Sequence, residues 1–443
     1  MSKYTITSAD TVHETLNNYM LADGFDLIID LHKSQGIKLV DERTGEEYID
    51  FFTFFASSPL GLNHPRLASG EVREILGQAA VNKPSNSDMY STYMAEFVET
   101  FGNIAMPDYM EYLFFVSGGS LAVENGLKVA FDWKVQKNFQ KGIKEEKGHQ
   151  VIHFKEAFHG RSGYTLSLTN TDPVKVKYFP KFNWPRITNP KMKFPIKENL
   201  RGIIESENKA INEIKAAIKN NPDDIALIIL EPIQGEGGDN FFRKEFFQEL
   251  RTLADENDIL LMFDEVQTGF GLTGKFWAAE YYVEPDIISF GKKAQVCGIM
   301  ATKRIDEVEN NCFHVSSRIN STWGGNLVDM VRSRHIMEVM RDEKLVENAA
   351  NRGIYLSSRL EQIQLQFPKL VSNTRGLGLM CSFDLPDKEK REQFRKISYD
   401  EKILILGCGN KSIRFRPPLN ITNDQLEEGL QVIEKVLKLM SNS

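Results

Sequence analysis

The sequence predicts an α/β fold, with a large domain built on a doubly wound, mainly parallel sheet and a smaller α+β domain. Short apolar runs such as ILLMF (259–263) and DIISF (286–290) alternate with helical patterns from about residue 70 to residue 325. Continuous apolar runs are typical of parallel strands that are buried on both faces. Several of these runs end directly at a polar residue, and in such sheets ligands bind at the carboxyl ends of the strands.

The composition is that of an ordinary globular protein. The chain has 443 residues, of which 41% are hydrophobic and 26% are charged, so it can form two domains. Its net charge of −7 implies no general affinity for nucleic acid or anionic membranes. The longest apolar run, at 225–233, is shorter than the roughly 20 residues that span a membrane. The polar N-terminus lacks a signal-peptide pattern, and the cysteines form no CxxC pair. We therefore expect a cytoplasmic protein with reduced thiols and no metal site.

The segment 1–66 is expected to begin the smaller domain. A capped helix is predicted near 8–20, and two short strands are predicted near 27–31 and 37–41. The stretch YIDFFTFFASSPLGLNHP (48–65) is too aromatic and too rich in Ser, Gly and Pro for a regular helix. We interpret it as a loop that lines a cavity. A buried connector is the alternative that the sequence leaves open.

The large domain is expected to span 67–325. Helical patterns at 68–80 and 89–105 precede a strand, the turn SGGS (117–120) and an amphipathic helix that ends near residue 134. The free N–H groups and the positive dipole end of such a helix form a phosphate site, although many similar turns bind nothing. This turn is therefore a candidate phosphate site that needs support from other residues.

The next strand, QVIHF (150–154), leads into the loop AFHGR, which contains Phe158, His159 and Arg161. Such a loop can be a surface turn, but its position predicts that it lies above the ligand site. The proline-rich stretch 172–200 is expected to be irregular. Loops of this length usually have a function or contact another subunit.

Another apolar strand, predicted at 223–231, follows a helical pattern at 201–221 and ends at Glu231. The loop PIQGEGG beyond it contains one further charge, Glu236. A helical pattern at 243–257 then leads to the apolar strands ILLMF (259–263) and DIISF (286–290). This alternation of strands and helices is the signature of a doubly wound sheet.

The segment 326–443 is expected to complete the smaller domain. Two long helical patterns, the second at 344–366, precede strands in LVSNTRGLGLMCSFDL and ILILGCG–SIRFRPPL. An amphipathic helix at 423–440 closes the chain. This order of elements predicts an α+β segment that packs with the N-terminal one.

Two buried strands deliver the groups that suggest a cofactor. The first ends at Asp264, with Gln267 just beyond it, and the second is followed by Lys292. A carboxylate and a lysine at neighbouring strand ends suit pyridoxal phosphate, whose ring nitrogen is protonated and whose aldehyde a lysine holds as a Schiff base. Lys293 is adjacent, and spacing does not choose between the two lysines. An Asp before a Glu also occurs in nucleotide sites, but the partner motif GxxxxGK[ST] is absent.

Seven motifs, in order along the chain, together resemble the class III pyridoxal-phosphate aminotransferases of fold type I. The motifs are SGGSLAVENGLK, AFHGR, EPIQGEGG, DEVQTGFGLTG, PDIISFGK, STWGGN and IRFRPPL. Within that family, GGSLAVENGLKVAFDWK, AFHGRSGYTLSLTNT, FGKKAQVCG and RINSTWGGNLVDMVR are most similar to the lysine 6-aminotransferases (lysine ε-aminotransferases). The resemblance covers nearly the whole chain.

The resemblance implies a role for each matching residue around pyridoxal 5′-phosphate. Lys292, rather than Lys293, would hold the cofactor and shuttle a proton, while Asp264 would pair with the ring nitrogen and keep it protonated. The other residues implied to bind the cofactor are Gly119, Ser120, Phe158, His159, Val266 and Gln267. Thr322 would reach the phosphate of the neighbouring subunit in a homodimer.

The resemblance also implies L-lysine and 2-oxoglutarate as the substrates of a ping-pong transamination. The ε-amino group would be transferred, giving glutamate and 2-aminoadipate 6-semialdehyde, which cyclises to piperideine-6-carboxylate. Arg161 would bind the distal carboxylate of lysine, and Arg414 the α-carboxylate of glutamate. Glu236 would pair with Arg414 while lysine is bound, and Gln267 also belongs to the implied substrate site. Ornithine, GABA or diaminobutyrate transamination remains an alternative, as do the decarboxylase, racemase and mutase reactions that this fold supports.

Overall fold

A computed structural model describes residues 7–442, and its central feature is a sheet of seven strands. Across the sheet the strands follow the order Met110–Val116, Cys297–Thr302, Ile287–Phe290, Leu260–Asp264, Ile225–Leu230, Gln150–Phe154 and Arg186–Ile187. The strand Cys297–Thr302 runs antiparallel to both of its neighbours, and the other neighbouring pairs are parallel. The predicted mainly parallel sheet is therefore confirmed.

Successive residues of the central strands pack on opposite faces of this sheet. In the strand Ile225–Leu230, Ile228 and Leu230 belong to one apolar core, whereas Leu227 and Ile229 belong to another. Because both faces are covered, the strand is apolar at every position instead of alternating with polar residues.

Helices cover both faces of the sheet. Val123 and Leu127 of the helix Gly119–Gln140 belong to one core. The helices Ile196–Asn220 and Lys244–Glu256 contribute to the core on the other face. Further α-helices are Val12–Asn17, Gly70–Val81, Thr92–Ile104, Thr165–Leu168, Leu327–Asp342, Leu345–Gln366, Lys388–Asp400 and Asn423–Ser441.

Two smaller sheets lie outside the central one, and the first of them combines strands from both ends of the chain. One has the order Lys38–Val40, Glu47–Asp50 and Ile403–Leu404, and its last pair is parallel. The other has the order Ser372–Leu377, Met380–Asp384, Ser412–Phe415 and Leu406–Cys408. The pairing of residues 47–50 with residues 403–404 supports the proposal that segments 1–66 and 326–443 form one smaller domain.

The secondary structure differs from the prediction at three places. The first helix is shorter than predicted: a 3-10 turn at Ala9–Thr11 is followed by the helix Val12–Asn17, which buries no residue. The predicted strand at 27–31 is reduced to one bridge, Ile29 with Asp41. The helix Lys388–Asp400 was not predicted, because its strongly charged sequence has few apolar residues to mark a buried face.

The aromatic stretch 48–65 is neither a strand nor an ordinary loop throughout. After the strand Glu47–Asp50, residues Thr53 to Ala56 form a left-handed turn in which φ is +41°, +52°, +60° and +66°. Left-handed conformations cost residues with a Cβ roughly 1–2 kcal/mol each, so other contacts must hold this turn. Asp50 accepts hydrogen bonds at its start, and the Lys293 ammonium group donates to the Ala56 carbonyl at its end, with an N–O distance of 2.7 Å.

Candidate active site

A cavity of about 430 Å³ lies at the carboxyl ends of the central strands. Its lining residues are Gly119, Ser120, Phe158, His159, Gly160, Arg161, Glu231, Asp264, Val266, Gln267, Lys292 and Cys297. These include each residue that the sequence assigned to the cofactor in its own subunit, together with Arg161. Glu231, Gly160 and Cys297 were not among the predicted site residues.

Asp264 ends the strand Leu260–Asp264 and is 5% exposed. Its Oδ2 atom is 2.8 Å from Nδ1 of His159, and its Oδ1 atom accepts hydrogen bonds from the Val266 N–H and the Ser289 hydroxyl group. These contacts fix the orientation of the carboxyl group at the base of the cavity. The other ring nitrogen of His159, Nε2, is buried and has no protein partner.

Lys292 follows the strand Ile287–Phe290 and has a left-handed backbone, with φ of +48°. Burial, together with the positive charge of Arg414, lowers the pKa of Lys292 to about 8. Its amine is therefore far more often neutral near neutral pH than that of an ordinary lysine. Lys293 lies elsewhere, because its ammonium group donates to the carbonyl of Ala56. The structure thus separates two lysines that the sequence spacing could not distinguish.

The start of the helix Gly119–Gln140 lines the cavity. A Cβ atom added at Gly119 would lie 2.9 Å from Cγ1 of Val266, so only glycine allows this close approach. The Ser120 hydroxyl oxygen is 2.5 Å from that of Ser162 and 2.8 Å from that of Thr165. Hydroxyl groups and free N–H groups meet here at the positive end of a helix dipole, as an anionic phosphate requires.

Gln267 has one end of its side-chain amide occupied by the protein. Its Oε1 atom accepts hydrogen bonds from Arg416, with N–O distances of 3.0 Å and 3.3 Å. Arg416 is held in turn by Asp239 through a buried ion pair. The Gln267 amide nitrogen is therefore the end that can donate into the cavity. Arg416 and Asp239 were not predicted to support the site, because the contacts of Arg416 with Gln267 and Asp239 join residues far apart in the sequence.

Glu231 is a buried carboxyl group that connects two loops of the site. Its Oε1 atom accepts the N–H of Phe158 at 2.9 Å, and its Oε2 atom accepts the N–H of Gly235 at 3.0 Å. Burial raises the pKa of Glu231 to about 7. The sequence contained the signal for this residue, because Glu231 is the polar residue at the end of a predicted strand.

The predicted substrate residues fall into two groups. Arg161 lies exposed at the rim of the cavity. Glu236 and Arg414 are in contact, with a distance of 2.9 Å between Oε2 and Nη2. The Arg414 side chain is 4% exposed, and its Nε atom is buried without a protein partner. The carboxylate of Glu236 therefore neutralises a buried cation.

A second cation on Glu236 was not predicted. The Lys175 ammonium group is 2.6 Å from Oε1 of Glu236, on the opposite oxygen from Arg414. Burial acts to raise the pKa of Glu236, but Arg414 and Lys175 together hold it below its usual value. Lys175 escaped notice because it lies in the proline-rich stretch, 61 residues before Glu236 in the chain.

Thr322 does not line the cavity of its own subunit. Its side chain is exposed, and its carbonyl group accepts hydrogen bonds from the hydroxyl groups of Ser85 and Ser87. The neighbouring Trp323 is 39% exposed, with the Lys83 ammonium group 4.3 Å from its ring centroid.

The residues of this cavity fit the cofactor that the resemblance implies. A carboxyl group beside an unpaired histidine nitrogen lines the cavity, and so do donors of the kind that bind phosphate. An amine with a lowered pKa completes the set, as attachment of an aldehyde requires. Residues 7–442 contain no group of three or more His, Cys, Asp and Glu side chains arranged for a metal ion. They also contain no helix with the length and apolar character of a membrane span.

A larger cavity, of about 550 Å³, is lined by residues that include Lys191, Lys193, Arg375 and Asp384. Its charges are largely matched, because Lys191 pairs with Glu156 and Arg375 pairs with Asp384. It contains none of the predicted site residues. The smaller cavity around Lys292 is therefore the candidate active site.

Comparison with known proteins gives the family. Residues 20–437 match the sequence profile of the class III aminotransferases. The chain is 50% identical over 437 residues to the L-lysine-epsilon aminotransferase of Mycobacterium tuberculosis, covering 98% of this chain and 97% of that protein. It is 46% identical to the protein of the same name from Streptomyces clavuligerus, covering 98% and 96%. A solved structure of lysine aminotransferase from M. tuberculosis superposes with a TM-score of 0.96 at 50% identity, covering 98% of this chain and 100% of that one.

Proposed function

Because this chain belongs to the class III aminotransferases, which depend on pyridoxal 5′-phosphate, we propose that it transfers the ε-amino group of L-lysine to 2-oxoglutarate. The products are glutamate and 2-aminoadipate 6-semialdehyde, which cyclises to piperideine-6-carboxylate. The relatives named as lysine aminotransferases support this substrate. The observation that carries the proposal is the contact between Glu236 and Arg414, because it neutralises a buried cation that an aliphatic substrate cannot.

The cofactor, when bound, supplies an aldehyde that takes up the amino group and a ring that stabilises negative charge on the reacting carbon. The amine of Lys292 removes the proton from the substrate carbon that bears the amino group. Asp264 holds a proton at the ring nitrogen, and His159 fixes the Asp264 carboxyl group in place. Phe158 and Val266, which line the cavity, would pack against the cofactor and exclude water from it.

Two substrates of different charge must use the same site in turn. For lysine, Arg161 binds the distal carboxylate while Glu236 neutralises Arg414, because an unpaired buried cation beside an aliphatic chain costs free energy. For glutamate, Arg161 binds the side-chain carboxylate. Glu236 then moves away, and Arg414 binds the α-carboxylate through two parallel hydrogen bonds.

Single-turnover absorbance spectra of the holoenzyme test this function. L-lysine should convert the cofactor to its amino form, and 2-oxoglutarate should then restore the original spectrum and yield glutamate. Mass spectrometry of the first product should find the six-membered cyclic imine, whereas the α-keto acid of lysine would refute transfer of the ε-amino group. The variant Lys292→Ala is the control and should show neither spectral change. If ornithine, GABA or diaminobutyrate converts the cofactor faster than lysine does, that amine and not lysine is the preferred amino-group donor.

We also propose that the enzyme is a homodimer in which Thr322 serves the phosphate of the neighbouring subunit. The position of Thr322 outside its own cavity supports this arrangement. Its exposed neighbour Trp323 supplies apolar surface of the kind that subunit interfaces bury.

A further inference from the structure

Lys175 is a charged residue that has no role in the function proposed above. It contacts Glu236, which is proposed to pair with Arg414 for lysine and to move away for glutamate. Its ammonium group is 2.6 Å from Oε1 of Glu236 and 5.3 Å from the ring centroid of Phe158, which lines the cofactor cavity. The lysine side chain is 25% exposed and that of Glu236 is 28% exposed, so both are partly shielded from water. The contact is therefore stronger than an ordinary surface ion pair.

The backbone around Lys175 is ordered by its own short turn. Residues Pro173–Lys175 form a 3-10 turn that begins at Asp172, whose side chain accepts the N–H of Val174 at 3.0 Å. The ammonium group also lies 3.4 Å from the hydroxyl group of Thr171. Lys175 is thus delivered to the site by a defined turn in the stretch that the sequence predicted to be irregular.

We propose that Lys175 is a positioning residue that keeps the Glu236 carboxylate paired when Arg414 turns to the α-carboxylate of a dicarboxylate substrate. The inference rests on the lysine and glutamate half-reactions of the proposed function. Each oxygen of Glu236 has its own cation, so release of one oxygen leaves the other held. Glu236 therefore pivots about Lys175 and does not become an isolated charge in a largely buried position.

The charges indicate which half-reaction Lys175 favours. Lys175, Arg414 and Glu236 together carry one net positive charge. When lysine is bound, Lys175 and Arg414 repel each other across Glu236 without further compensation. When glutamate or 2-oxoglutarate is bound, its carboxylate on Arg414 neutralises that repulsion. Lys175 thus favours the state with a dicarboxylate, and its removal should weaken that state selectively.

The test uses Lys175→Met, which keeps the length of the side chain and removes its charge, and Lys175→Arg, which keeps the charge. Single-turnover rates are measured on the holoenzyme with L-glutamate and, separately, with L-lysine. We expect Lys175→Met to lower the ratio of maximal rate to Kd for glutamate by about 5- to 10-fold. The same ratio for lysine should change by less than about 2-fold, and Lys175→Arg should restore most of the glutamate rate.

A second comparison asks whether Lys175 acts through Glu236. In the Glu236→Gln background, Lys175→Met should change the glutamate rate by less than about 2-fold, because the carboxylate it positions is absent. Thermal unfolding of each variant verifies that the fold is retained.

Three results would overturn the inference. Equal losses with both substrates would give Lys175 only a structural role, and no loss with either would make it a bystander. An undiminished loss in the Glu236→Gln background would mean that Lys175 contacts the substrate directly. Failure of the proposed function is a separate result: the wild-type enzyme would then not react with L-lysine, while the glutamate comparison would still test Lys175.

Discussion

At the scale of single residues, the fold strongly alters the acid–base chemistry of Lys292. Its pKa falls from an ordinary value of 10.5 to about 8, first because the amine is buried and second because Arg414 is nearby. A neutral amine is the form that attacks an aldehyde and accepts a proton. The lowered pKa therefore suits Lys292 to the two roles proposed for it, which are to hold the cofactor and to act as a base.

This shift predicts the pH dependence of cofactor attachment to the apoenzyme. The rate should rise with pH and reach half its maximum near pH 8, because only the neutral Lys292 amine reacts. Arg414→Ala should move the midpoint upward, since it removes a positive charge that opposes protonation of Lys292. Borohydride reduction followed by peptide mapping should find the cofactor on Lys292. Attachment to Lys293, or a midpoint unchanged in Arg414→Ala, would contradict this assignment.

The Glu236–Arg414 pair predicts opposite defects in the two half-reactions. Glu236→Ala leaves Arg414 as an unpaired buried cation, so the reaction with lysine should slow by roughly 10- to 100-fold, and that with glutamate should slow less. Arg414→Ala should impair the glutamate reaction more than the lysine reaction, because it removes the group that binds the α-carboxylate. Stopped-flow absorbance with each substrate measures both ratios. Equal losses in the two half-reactions would exclude a switch.

At the scale of elements, the left-handed turn at residues 53–56 is the feature that the sequence concealed. Four successive residues with positive φ are unfavourable, and the turn persists because tertiary contacts hold it. The Thr53 hydroxyl group donates to the Arg416 carbonyl at 2.6 Å, and the Lys293 ammonium group donates to the Ala56 carbonyl at 2.7 Å. The turn is thus attached to two chain segments near the site. One contains Arg416, which donates to Gln267, and the other contains Lys293, the neighbour of Lys292.

Asp50 should be decisive for this turn. Its Oδ1 atom accepts the N–H groups of Phe52 at 2.9 Å and Thr53 at 2.7 Å, and the residue is 2% exposed. Asp50→Ala leaves both donors unpaired and should lower the free energy of unfolding by about 1–3 kcal/mol. Asp50→Asn keeps an acceptor oxygen and should cost less. Denaturant unfolding of the two variants measures the difference, and equal losses would show that the hydrogen bonds do not hold the turn.

A comparison of Asp50→Asn with the wild-type protein gives a pH test. Burial raises the pKa of Asp50 to about 6, so the folded state binds this proton more tightly than the unfolded state. The contribution of Asp50 to stability is therefore full at low pH and declines as pH rises through about 6. Since Asn does not titrate, the stability of Asp50→Asn relative to wild type should increase from about pH 5 to about pH 7. A constant difference would place the Asp50 pKa outside this range.

At the scale of the whole molecule, the proposed dimer predicts that two defective subunits can complement each other. Thr322→Ala should weaken cofactor binding by roughly 10-fold, because it removes the hydroxyl group that is proposed to contact the cofactor phosphate in the partner subunit. In a mixture with Lys292→Ala subunits, each hybrid dimer regains one complete site. Random exchange of equal amounts should restore about a quarter of the sites.

The measurement is transaminase activity at a low cofactor concentration, after the subunits have exchanged. A mixture of Thr322→Ala with the double variant Lys292→Ala/Thr322→Ala is the matched control and should gain no activity on exchange. If the first mixture exchanges subunits but regains no activity, Thr322 serves its own subunit and the shared site is wrong.

The order of strands and helices was largely predictable because it depends on local sequence, and most residues of the cavity were predicted because their motifs resemble those of a known family. Apolar runs of strand length mark strands that are buried on both faces, and the polar residue after each run, such as Asp264, marks the ligand edge. Glu231 had the same signal but was not assigned a role. The helix Lys388–Asp400 could not be recognised, because its charged residues give no clear apolar face.

The sequence by itself determined the α/β fold, the family and the residues that meet at the carboxyl edge of the sheet. Only the tertiary structure decided that Lys293 donates to the Ala56 carbonyl, that Lys175 contacts Glu236, and that Arg416 occupies one end of the Gln267 side-chain amide. The physical reason is the range of the interactions. Strand and helix patterns come from neighbours in the chain, whereas these contacts join residues far apart in the sequence and depend on how the elements pack.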